Sequence, residues 1–365
     1  EKSEEAFNTA LSINPEYTQA YLAHYNLGIF SEEKGKFEKA LEHYGMSIKL
    51  NPDFPDAHWN RSLVLLLLGK FEEGWREYQY RFRKQSPTDS RVFDKPLWKG
   101  EPLENKRILI ASEQGFGDSI QFIRYIPLVK QKKGHIILEC RKEIARLFED
   151  IDGIDEIVIK EKDKVPDVDF DCYIHLMDLP GIFKTNLDNL PNKVPYINAN
   201  QGLSKKLNGE LKKDKFNIGV VWAGNPKHDN DKNRSTTIDK FRILESLPGI
   251  AIFSLQKGKD ENQLKSSKII DMSEKINGFS DTAAIIDNLD LIISVDTSVA
   301  HLAGAMGKPV WTLLGFNPDW RWLLGRNDSP WYPTMKLFRQ KRKGDWDSLL
   351  EEVKESLEKH VRFRV

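Results

Sequence analysis

The chain has 365 residues, which is long enough for two or three domains and excludes a single small module. Its 55 Lys and Arg residues balance 55 Asp and Glu residues, so the net charge is zero and a protein that coats nucleic acid through overall charge is excluded. Charged residues make up 30% of the chain, above the about 25% of an average globular protein, which indicates a part with much surface and little core.

The cysteine content and the lack of apolar runs predict a protein of a reducing compartment, and we expect the cytoplasm. Cys140 and Cys172 are too few for a disulfide framework and too far apart for a zinc knuckle. No run reaches the roughly 20 apolar residues of a membrane span, and the acidic opening EKSEEAF is unlike a signal peptide. Because no initiator Met is present, we expect this sequence to be part of a longer protein.

An internal repeat opens the chain. The segments YNLGIFSEEKGKFEKALEHY and WNRSLVLLLLGKFEEGWREY align at a constant offset of 34 residues, the period of tetratricopeptide repeats. The segment NTALSINPEY matches the end of a repeat, so Glu1 is expected to lie inside the second helix of an earlier one. We therefore predict an α-helical repeat solenoid over residues 1–85, with further repeats upstream. The offset superposes Tyr25 on Trp59, Asn26 on Asn60, Gly35 on Gly69, Phe37 on Phe71, Ala40 on Gly74 and Tyr44 on Tyr78.

After the repeats, three prolines mark residues 86–105 as a linker, and the pattern then changes to apolar runs that alternate with amphipathic stretches. This alternation is typical of parallel βαβ units. We predict two Rossmann-like domains, 106–212 and 213–340, followed by a C-terminal helix over 341–365. The predicted strands are RILIA, HIILEC and EIVI in the first domain and FNIGVVWAG, AIFSLQ, LIISV and PVWTLLG in the second.

The segment LIISVDTSVAHLAGAMGKPV combines a buried strand, a polar turn and a helix of small residues. The turn places a helix N-terminus at the carboxyl edge of a parallel sheet, where free N–H groups favour a phosphate. Asp296 would repel a diphosphate, so we assign it to sugar hydroxyls and leave Thr297, Ser298 and the backbone N–H groups to the phosphates. A structural helix with Asp296 as its cap is the alternative that the pattern leaves open.

A second turn, in ILIASEQGFGDSIQFIRY, carries a carboxylate between a strand and a helix. Gly115 and Gly117 shape the turn, but Ile120 stands where a dinucleotide fingerprint requires a third glycine, which disfavours a hydride-transfer enzyme. Asp118 at a glycine-flanked turn facing a cleft has the position of a general base. A helix cap is again the alternative.

Basic residues concentrate in the second half of the chain. The loop in VVWAGNPKHDNDKNRS could clamp a diphosphate, although a solvated loop is the alternative for any such charge run. Between Asp296 and Lys343, eight Lys or Arg residues stand against three Asp residues, a local charge of +5 in a neutral chain. An anionic donor fits this region. The loop carries Lys227, His228, Lys232 and Arg234.

Other motifs are rejected or left open. Asp167-Val168-Asp169 has the form of a metal-binding D-x-D, but it leads into the apolar run DFDCYIHL, which indicates the start of a strand. No metal spacing and no G-x-S-x-G elbow is present. An aromatic segment could stack on a base or sugar, or pack structurally in the core. It contains Trp320, Trp322, Trp331 and Tyr332.

The segments EQGFGDSIQFIRY, VVWAGNP, DTAAIIDNLDLIISVDTSVAHLAGA and PDWRWLLGRNDSPWYP resemble bacterial proteins that join tetratricopeptide repeats to a glycosyltransferase family 9, heptosyltransferase-like domain. The resemblance covers roughly residues 107–340. It implies the α/β GT-B fold, with a first Rossmann-like domain for the acceptor and a second for a nucleotide-sugar donor. It also implies inversion at the transferred sugar, without a metal or a cofactor beyond the donor substrate.

The resemblance assigns roles to individual residues. Asp118 corresponds to the family's proposed base, and Asp296 to the aspartate that contacts the donor sugar. The chain departs from the family by having Ser298 where many members have Gly, so heptose and lipopolysaccharide are not carried over. The donor-site residues are Asp296, Thr297, Ser298, Val299, His301, Lys227, Lys232, Arg234 and Gln256, and the acceptor-site residues are Gln114, Gly117, Asn26 and Asn60.

The repeats bear on the acceptor. Asn26 and Asn60 recur at one position of the first helix and resemble the asparagine ladder with which O-GlcNAc transferases hold a peptide backbone. Asparagine is also a common consensus residue there. The leading hypothesis is a glycosyltransferase that modifies a protein recruited by the repeats. Two alternatives remain, a transferase acting on lipopolysaccharide or another surface glycan, and a non-catalytic scaffold that senses nucleotide.

Overall fold

The computed structural model of the chain describes residues 2–14, 19–258, 261–264 and 267–362. The predicted start at Glu1, residues 15–18 of the predicted repeat end and residues 363–365 of the predicted last helix lie outside these ranges. The chain divides into two compact units. We call Glu1–Val92, Asp178–Leu190 and Asn317–Gly325 the repeat unit, and Phe93–Met177, Pro191–Phe316 and Arg326–Val365 the α/β unit.

Helices and strands follow the predicted change of pattern, with helices first and alternating elements after residue 106. The α-helices are α1 (Lys2–Ile13), α2 (Ala20–Glu33), α3 (Phe37–Leu50), α4 (Pro55–Leu67), α5 (Phe71–Tyr78), α6 (Phe116–Phe122), α7 (Ile126–Lys130), α8 (Lys142–Phe148), α9 (Leu179–Ile182), α10 (Gln201–Leu207), α11 (Asp231–Arg234), α12 (Ile238–Phe241), α13 (Phe279–Asn288), α14 (Ser298–Ala305) and α15 (Trp346–Arg362). The strands are β1 (Arg107–Ala111), β2 (His135–Cys140), β3 (Glu156–Ile159), β4 (Cys172–His175), β5 (Phe216–Val221), β6 (Ile250–Ser254), β7 (Ile270–Asp271), β8 (Leu291–Val295), β9 (Val310–Leu314) and β10 (Met335–Arg339).

The repeat unit contains two helix pairs, α2 with α3 and α4 with α5, preceded by the single helix α1. The turn of each pair carries a glycine with positive φ, +70° at Gly35 and +76° at Gly69. A residue with a side chain is strained in this conformation, so glycine is favoured at both turns. The two glycines are 34 residues apart, and the helix pairs confirm the predicted tetratricopeptide repeat.

Two distant chain segments complete the repeat unit. The ring of Trp320 packs edge-on against Trp75 of α5, with 5.3 Å between ring centroids. The indole N–H of Trp75 donates to the carbonyl of Thr185 at 2.9 Å. Buried Arg81 donates to a carboxylate oxygen of Asp178 at 2.5 Å. The predicted domain boundaries place residues 178–190 and 317–325 with the α/β part, so the repeat unit draws on more of the chain than its local pattern indicates.

A pair of half-buried histidines in the repeat unit predicts a pH-dependent stability. The Nδ1 atoms of His24 and His43 are 3.2 Å apart, and burial lowers the pKa of both imidazoles. Below the ordinary histidine pKa of about 6.5, the unfolded chain binds protons that the folded pair does not. Stability is therefore full above about pH 6.5 and is lost as the pH falls through that value toward the folded pKa.

The measurement is the urea midpoint of the repeat unit by circular dichroism at pH 5.5 and 7.5. We expect a lower midpoint at pH 5.5 in the wild type and a smaller difference between the two pH values in the double variant His24→Gln/His43→Gln. His360→Gln, in the α/β unit, is the control and should keep the wild-type difference. An unchanged difference in the double variant would assign the pH dependence to other groups.

The α/β unit holds two wholly parallel sheets, in the orders β3-β2-β1-β4 and β10-β9-β8-β5-β6-β7. Every residue of β5, β6, β8 and β9 is buried, as expected for parallel strands covered on both faces. The structure adds β7 and β10 to the predicted strands, because β7 has only two residues and Lys336 and Arg339 interrupt the apolar pattern of β10. Both sheets belong to one compact unit, and the predicted boundary between 212 and 213 stays a prediction.

The predicted linker is irregular but partly buried. Phe93, Trp98 and Leu103 are at most 8% exposed, and Leu97 forms an isolated bridge with Tyr173 of β4. The end of the linker thus packs against the α/β core. Helix α15 covers the second sheet with its apolar side chains, which are Trp346, Leu349, Leu350, Val353 and Leu357.

Both cysteines are free and buried, and burial raises the pKa of the thiols to about 12 at Cys140 and about 11 at Cys172. Over the described ranges, every helix is too short or too polar to cross a membrane.

Candidate functional site

The first predicted turn lies at the carboxyl end of β1. The chain passes from Ala111 to Gly115, and α6 begins at Phe116. Asp118 is half-buried, and its Oδ2 accepts a hydrogen bond from the backbone N–H of Gly115 at 2.7 Å. The carboxylate therefore makes the cap contact that the sequence offered as the alternative. Its role as a base stays a prediction.

The second predicted turn lies at the carboxyl end of β8. Helix α14 begins at Ser298, so its first N–H groups face the edge of the sheet. The buried hydroxyl of Thr297 lies 3.0 Å from that of Ser294. Val299 is also buried, and Ser298 and Asp296 are half-buried. The backbone carbonyl of Asp296 accepts a hydrogen bond from Arg234 at 3.1 Å.

The two turns are in contact. A Cβ atom added to Gly117 would lie 3.0 Å from Cδ2 of His301 and 3.5 Å from Cα of Ser298. Real Cβ contacts are rarely this close, so glycine at this position lets the start of α6 approach the start of α14. The turn of Asp118 and the turn of Asp296, 178 positions apart in the sequence, thus meet in one site.

His301 lies at the centre of this contact and is 5% exposed. Its Nδ1 is 2.9 Å from the hydroxyl of Tyr332, and its Nε2 is 3.9 Å from Oδ1 of Asp296. One side of the imidazole thus faces the protein interior and the other faces the turn of Asp296.

The basic loop after β5 places one of its cations at the site. Arg234 fits against Gly224, where an added Cβ would be 2.6 Å from a guanidinium nitrogen, and its Nε is 3.6 Å from a carboxylate oxygen of Asp231. From there Arg234 reaches the carbonyl of Asp296. Lys227 and Lys232 are exposed on the same loop. The structure therefore brings Arg234 to the site, and the donor contacts of the two lysines stay predictions.

Gln256 has structural contacts. Its buried side-chain oxygen accepts hydrogen bonds from the backbone N–H groups of Trp222 at 3.2 Å and Ala223 at 3.0 Å, and its amide donates to the carbonyl of Lys257 at 3.2 Å. These bonds tie the segment after β5 to the segment after β6. A donor contact of Gln256 stays a prediction.

The predicted acceptor residues are distributed over both units. Gln114 is half-buried and directly precedes Gly115 in the α/β unit. In the repeat unit, the amide of Asn26 donates to the carbonyl of Leu22 in its own helix at 2.8 Å. The amide of Asn60 donates to the hydroxyl of Tyr25 in the neighbouring repeat at 3.3 Å. The predicted peptide ladder is not tested by these contacts.

The rejected and open motifs can also be placed. The carbonyl of Asp169 accepts from Arg107, the first residue of β1, so the D-x-D sequence lies at the amino edge of the first sheet, away from the Asp118 turn. The four aromatic residues 320, 322, 331 and 332 are at most 3% exposed, which favours structural packing. In the described part of the chain, no group of three or more His, Cys, Asp or Glu residues is arranged to hold a metal ion.

The patterns missed two residues behind the site. Arg124 is 5% exposed and donates to the hydroxyl of Tyr196 at 2.7 Å and to the carbonyl of Trp331 at 2.7 Å. An arginine inside the apolar run IQFIRYIPLV is a signal, because a buried cation requires several acceptors. Its acceptors come from segments 70 to 200 residues away, which no local pattern reveals.

Comparisons with known proteins agree with this architecture. Residues 267–344 match the family model of glycosyltransferase family 9 (heptosyltransferase), and residues 33–69 match a tetratricopeptide-repeat model. Protein FlbA of Caulobacter vibrioides is 24% identical over 388 residues, which covers 96% of this chain. The chain spans 63% of the length of that relative.

Two solved structures are similar to the chain. A glycosyl transferase family 9 protein from Veillonella parvula is 13% identical, with a TM-score of 0.51 over 72% of this chain and 92% of that protein. The ADP-heptose lps heptosyltransferase II of E. coli is 12% identical, with a TM-score of 0.47 over 69% of this chain and 97% of that protein. The chain thus carries a tetratricopeptide repeat and a glycosyltransferase family 9 (heptosyltransferase) region in one polypeptide.

Proposed function

We propose that the protein is a glycosyltransferase that moves a sugar from a nucleotide-diphosphate sugar to an acceptor hydroxyl. One observation carries this proposal. The Asp118 turn and the Asp296 turn, which the sequence assigns to proton removal and donor binding, are in contact at Gly117 and His301. The family 9 match over residues 267–344 covers the donor turn and supports the same reaction class.

The reaction follows from the chemistry of these groups. Asp118 takes the proton of the acceptor hydroxyl, and the acceptor oxygen forms a bond to the anomeric carbon of the donor sugar. The bond from that carbon to the diphosphate oxygen breaks on the opposite face, which gives inversion. The departing diphosphate takes up the electron pair and is stabilised by the first N–H groups of α14, by the hydroxyls of Thr297 and Ser298, and by Arg234.

Asp296 has the separate role of binding sugar hydroxyls. Its carboxylate accepts hydrogen bonds only, so it suits a neutral polyol and disfavours a phosphate. The repeat unit would supply the acceptor, because a tetratricopeptide array with amides at Asn26 and Asn60 suits a peptide main chain. A second candidate acceptor is a surface glycan, which is favoured by the heptosyltransferase description of the family that residues 267–344 match.

A thermal-shift screen with ADP-, UDP-, GDP- and CMP-sugars tests the proposal. A ligand at about 100 times its Kd stabilises the folded protein by about 2.7 kcal/mol, so one sugar nucleotide should raise the melting temperature by a few degrees. Asp296→Asn should reduce this shift. Asp271→Asn is the matched control, because Asp271 ends β7 of the same sheet and bonds only locally to Ser273 among its printed contacts. If no sugar nucleotide raises the melting temperature, the non-catalytic scaffold is favoured.

A further inference from the structure

A network of buried hydrogen bonds lies behind His301 in the α/β unit. Arg124 donates to the hydroxyl of Tyr196 at 2.7 Å, and the side chain of Tyr196 is hydrogen-bonded to that of Tyr332. The hydroxyl of Tyr332 lies 2.9 Å from Nδ1 of His301. We call these four residues the His301 network. Tyr332 is fully buried, so its hydroxyl has a fixed set of neighbours.

Arg124 holds the far end of the network in place. Its Nε donates to the carbonyl of Gln121 at 2.7 Å, and one terminal nitrogen donates to the carbonyls of Trp331 at 2.7 Å and Pro191 at 3.1 Å. The guanidinium also lies 4.6 Å from the centre of the Tyr332 ring. Bidentate and aromatic contacts of this kind make arginine a well-ordered anchor.

The donors and acceptors of the network run in one direction. Arginine only donates, so the Tyr196 oxygen accepts from Arg124, and the Tyr196 proton goes to the carbonyl of Ile120 at 3.0 Å. Burial raises the pKa of the Tyr196 hydroxyl, which keeps that proton in place. The bond between the two tyrosines is then donated by Tyr332. Because a hydroxyl has one proton, the remaining bond of Tyr332 is one that it accepts from Nδ1–H of His301.

From this direction, and on the basis of the proposed function, we propose that Tyr332 is a positioning residue that holds His301 as its Nδ1–H tautomer. The Nε2 lone pair then points toward the site, 3.9 Å from Oδ1 of Asp296 and 3.6 Å from where a Cβ of Gly117 would lie. An imidazole lone pair beside a carboxylate places two acceptors side by side. This pair suits two neighbouring hydroxyls of the donor sugar.

The opposite tautomer would destroy this arrangement. With its proton on Nε2, His301 would donate to the carboxylate of Asp296 and no longer accept from a sugar hydroxyl. The Asp296 carboxylate favours that tautomer electrostatically, so the Tyr332 hydroxyl is needed to oppose it. Tyrosine is thus required at position 332 for its hydroxyl as well as for its ring.

The first experiment removes only that hydroxyl. In Tyr332→Phe, we expect the nitrogen NMR signals of His301 to move from the Nδ1–H pattern toward the Nε2–H pattern, and the Kd for the sugar nucleotide to rise about tenfold, as for one lost hydrogen bond. Tyr173→Phe is the matched control, because Tyr173 is a half-buried tyrosine of β4 in the same unit. It should leave the His301 signals and the Kd unchanged.

Two further variants keep the proposal falsifiable. If Tyr332→Phe does not fold, Tyr196→Phe is used, because it returns the Tyr332 proton to His301 and should shift the same signals. In a His301→Gln background, adding Tyr332→Phe should raise the Kd no further, since Tyr332 acts through His301.

Unchanged His301 signals in Tyr332→Phe, or a further tenfold loss of affinity in the His301→Gln background, would overturn the proposal. The NMR result requires no donor. If the wild type binds no sugar nucleotide, the proposed function fails, whereas the tautomer still decides the role of Tyr332.

Discussion

Replacing Asp118 by Asn is expected to lower kcat about 10²- to 10⁴-fold, the usual contribution of a positioned general base. The amide of Asn cannot take the proton of the acceptor hydroxyl. Its oxygen still accepts from the backbone N–H of Gly115, which the carboxylate holds at 2.7 Å in the wild type. We therefore expect the melting temperature and the Kd for the sugar nucleotide to stay near the wild-type values, so that the loss is confined to turnover.

This design separates the two roles that the sequence allows for Asp118. Asp118→Ala removes both the base and the cap, and should lower kcat and also destabilise the start of α6 by about 1 kcal/mol. Asp281→Asn is the matched control, because Asp281 lies in the first turn of α13 and accepts from the backbone N–H of Asn277 at 2.9 Å. It should leave turnover unchanged. A wild-type kcat in Asp118→Asn would mean that Asp118 is only a cap.

The parts of the site that could be predicted from the sequence are those formed by short, continuous segments. The strand, turn and helix around Asp296 and around Asp118 each show their pattern within about 20 residues, and both turns occur where they were predicted. Their contact at Gly117 could be expected only from the resemblance. A glycine at that position has no local signature that distinguishes a close approach between helices from an ordinary turn.

The parts that could not be predicted depend on contacts between distant residues. Gln256 reads as a polar residue at a strand end, yet its amide is used to hold two backbone N–H groups after β5. Arg124, Tyr196 and Tyr332 form one network although 208 positions separate the first from the last. Hydrophobic periodicity reports which face of an element is buried, but not which distant side chain meets it.

The largest stability effect is expected for Trp320→Ala. The side chain is 3% exposed, and its ring packs edge-on against Trp75 at 5.3 Å and Tyr78 at 6.5 Å between centroids. Truncating a buried tryptophan costs about 3–5 kcal/mol, a large part of the 5–15 kcal/mol that typically stabilises a domain. Because α5 ends the visible repeats, we expect this loss in the unfolding transition of the repeat unit.

Urea unfolding followed by circular dichroism, with limited proteolysis to identify which unit opens, measures the effect. Leu324→Ala is the matched control, since Leu324 lies in the same segment but is 37% exposed, and it should cost less than 1 kcal/mol, roughly the effect of a surface change. Equal costs for the two variants would show that residues 317–325 are not part of the repeat core. The expected difference would instead show that a segment inside the family 9 match, residues 267–344, stabilises the tetratricopeptide repeats. Loss of Trp320 would then disturb acceptor recruitment while leaving the residues of the donor turn unchanged.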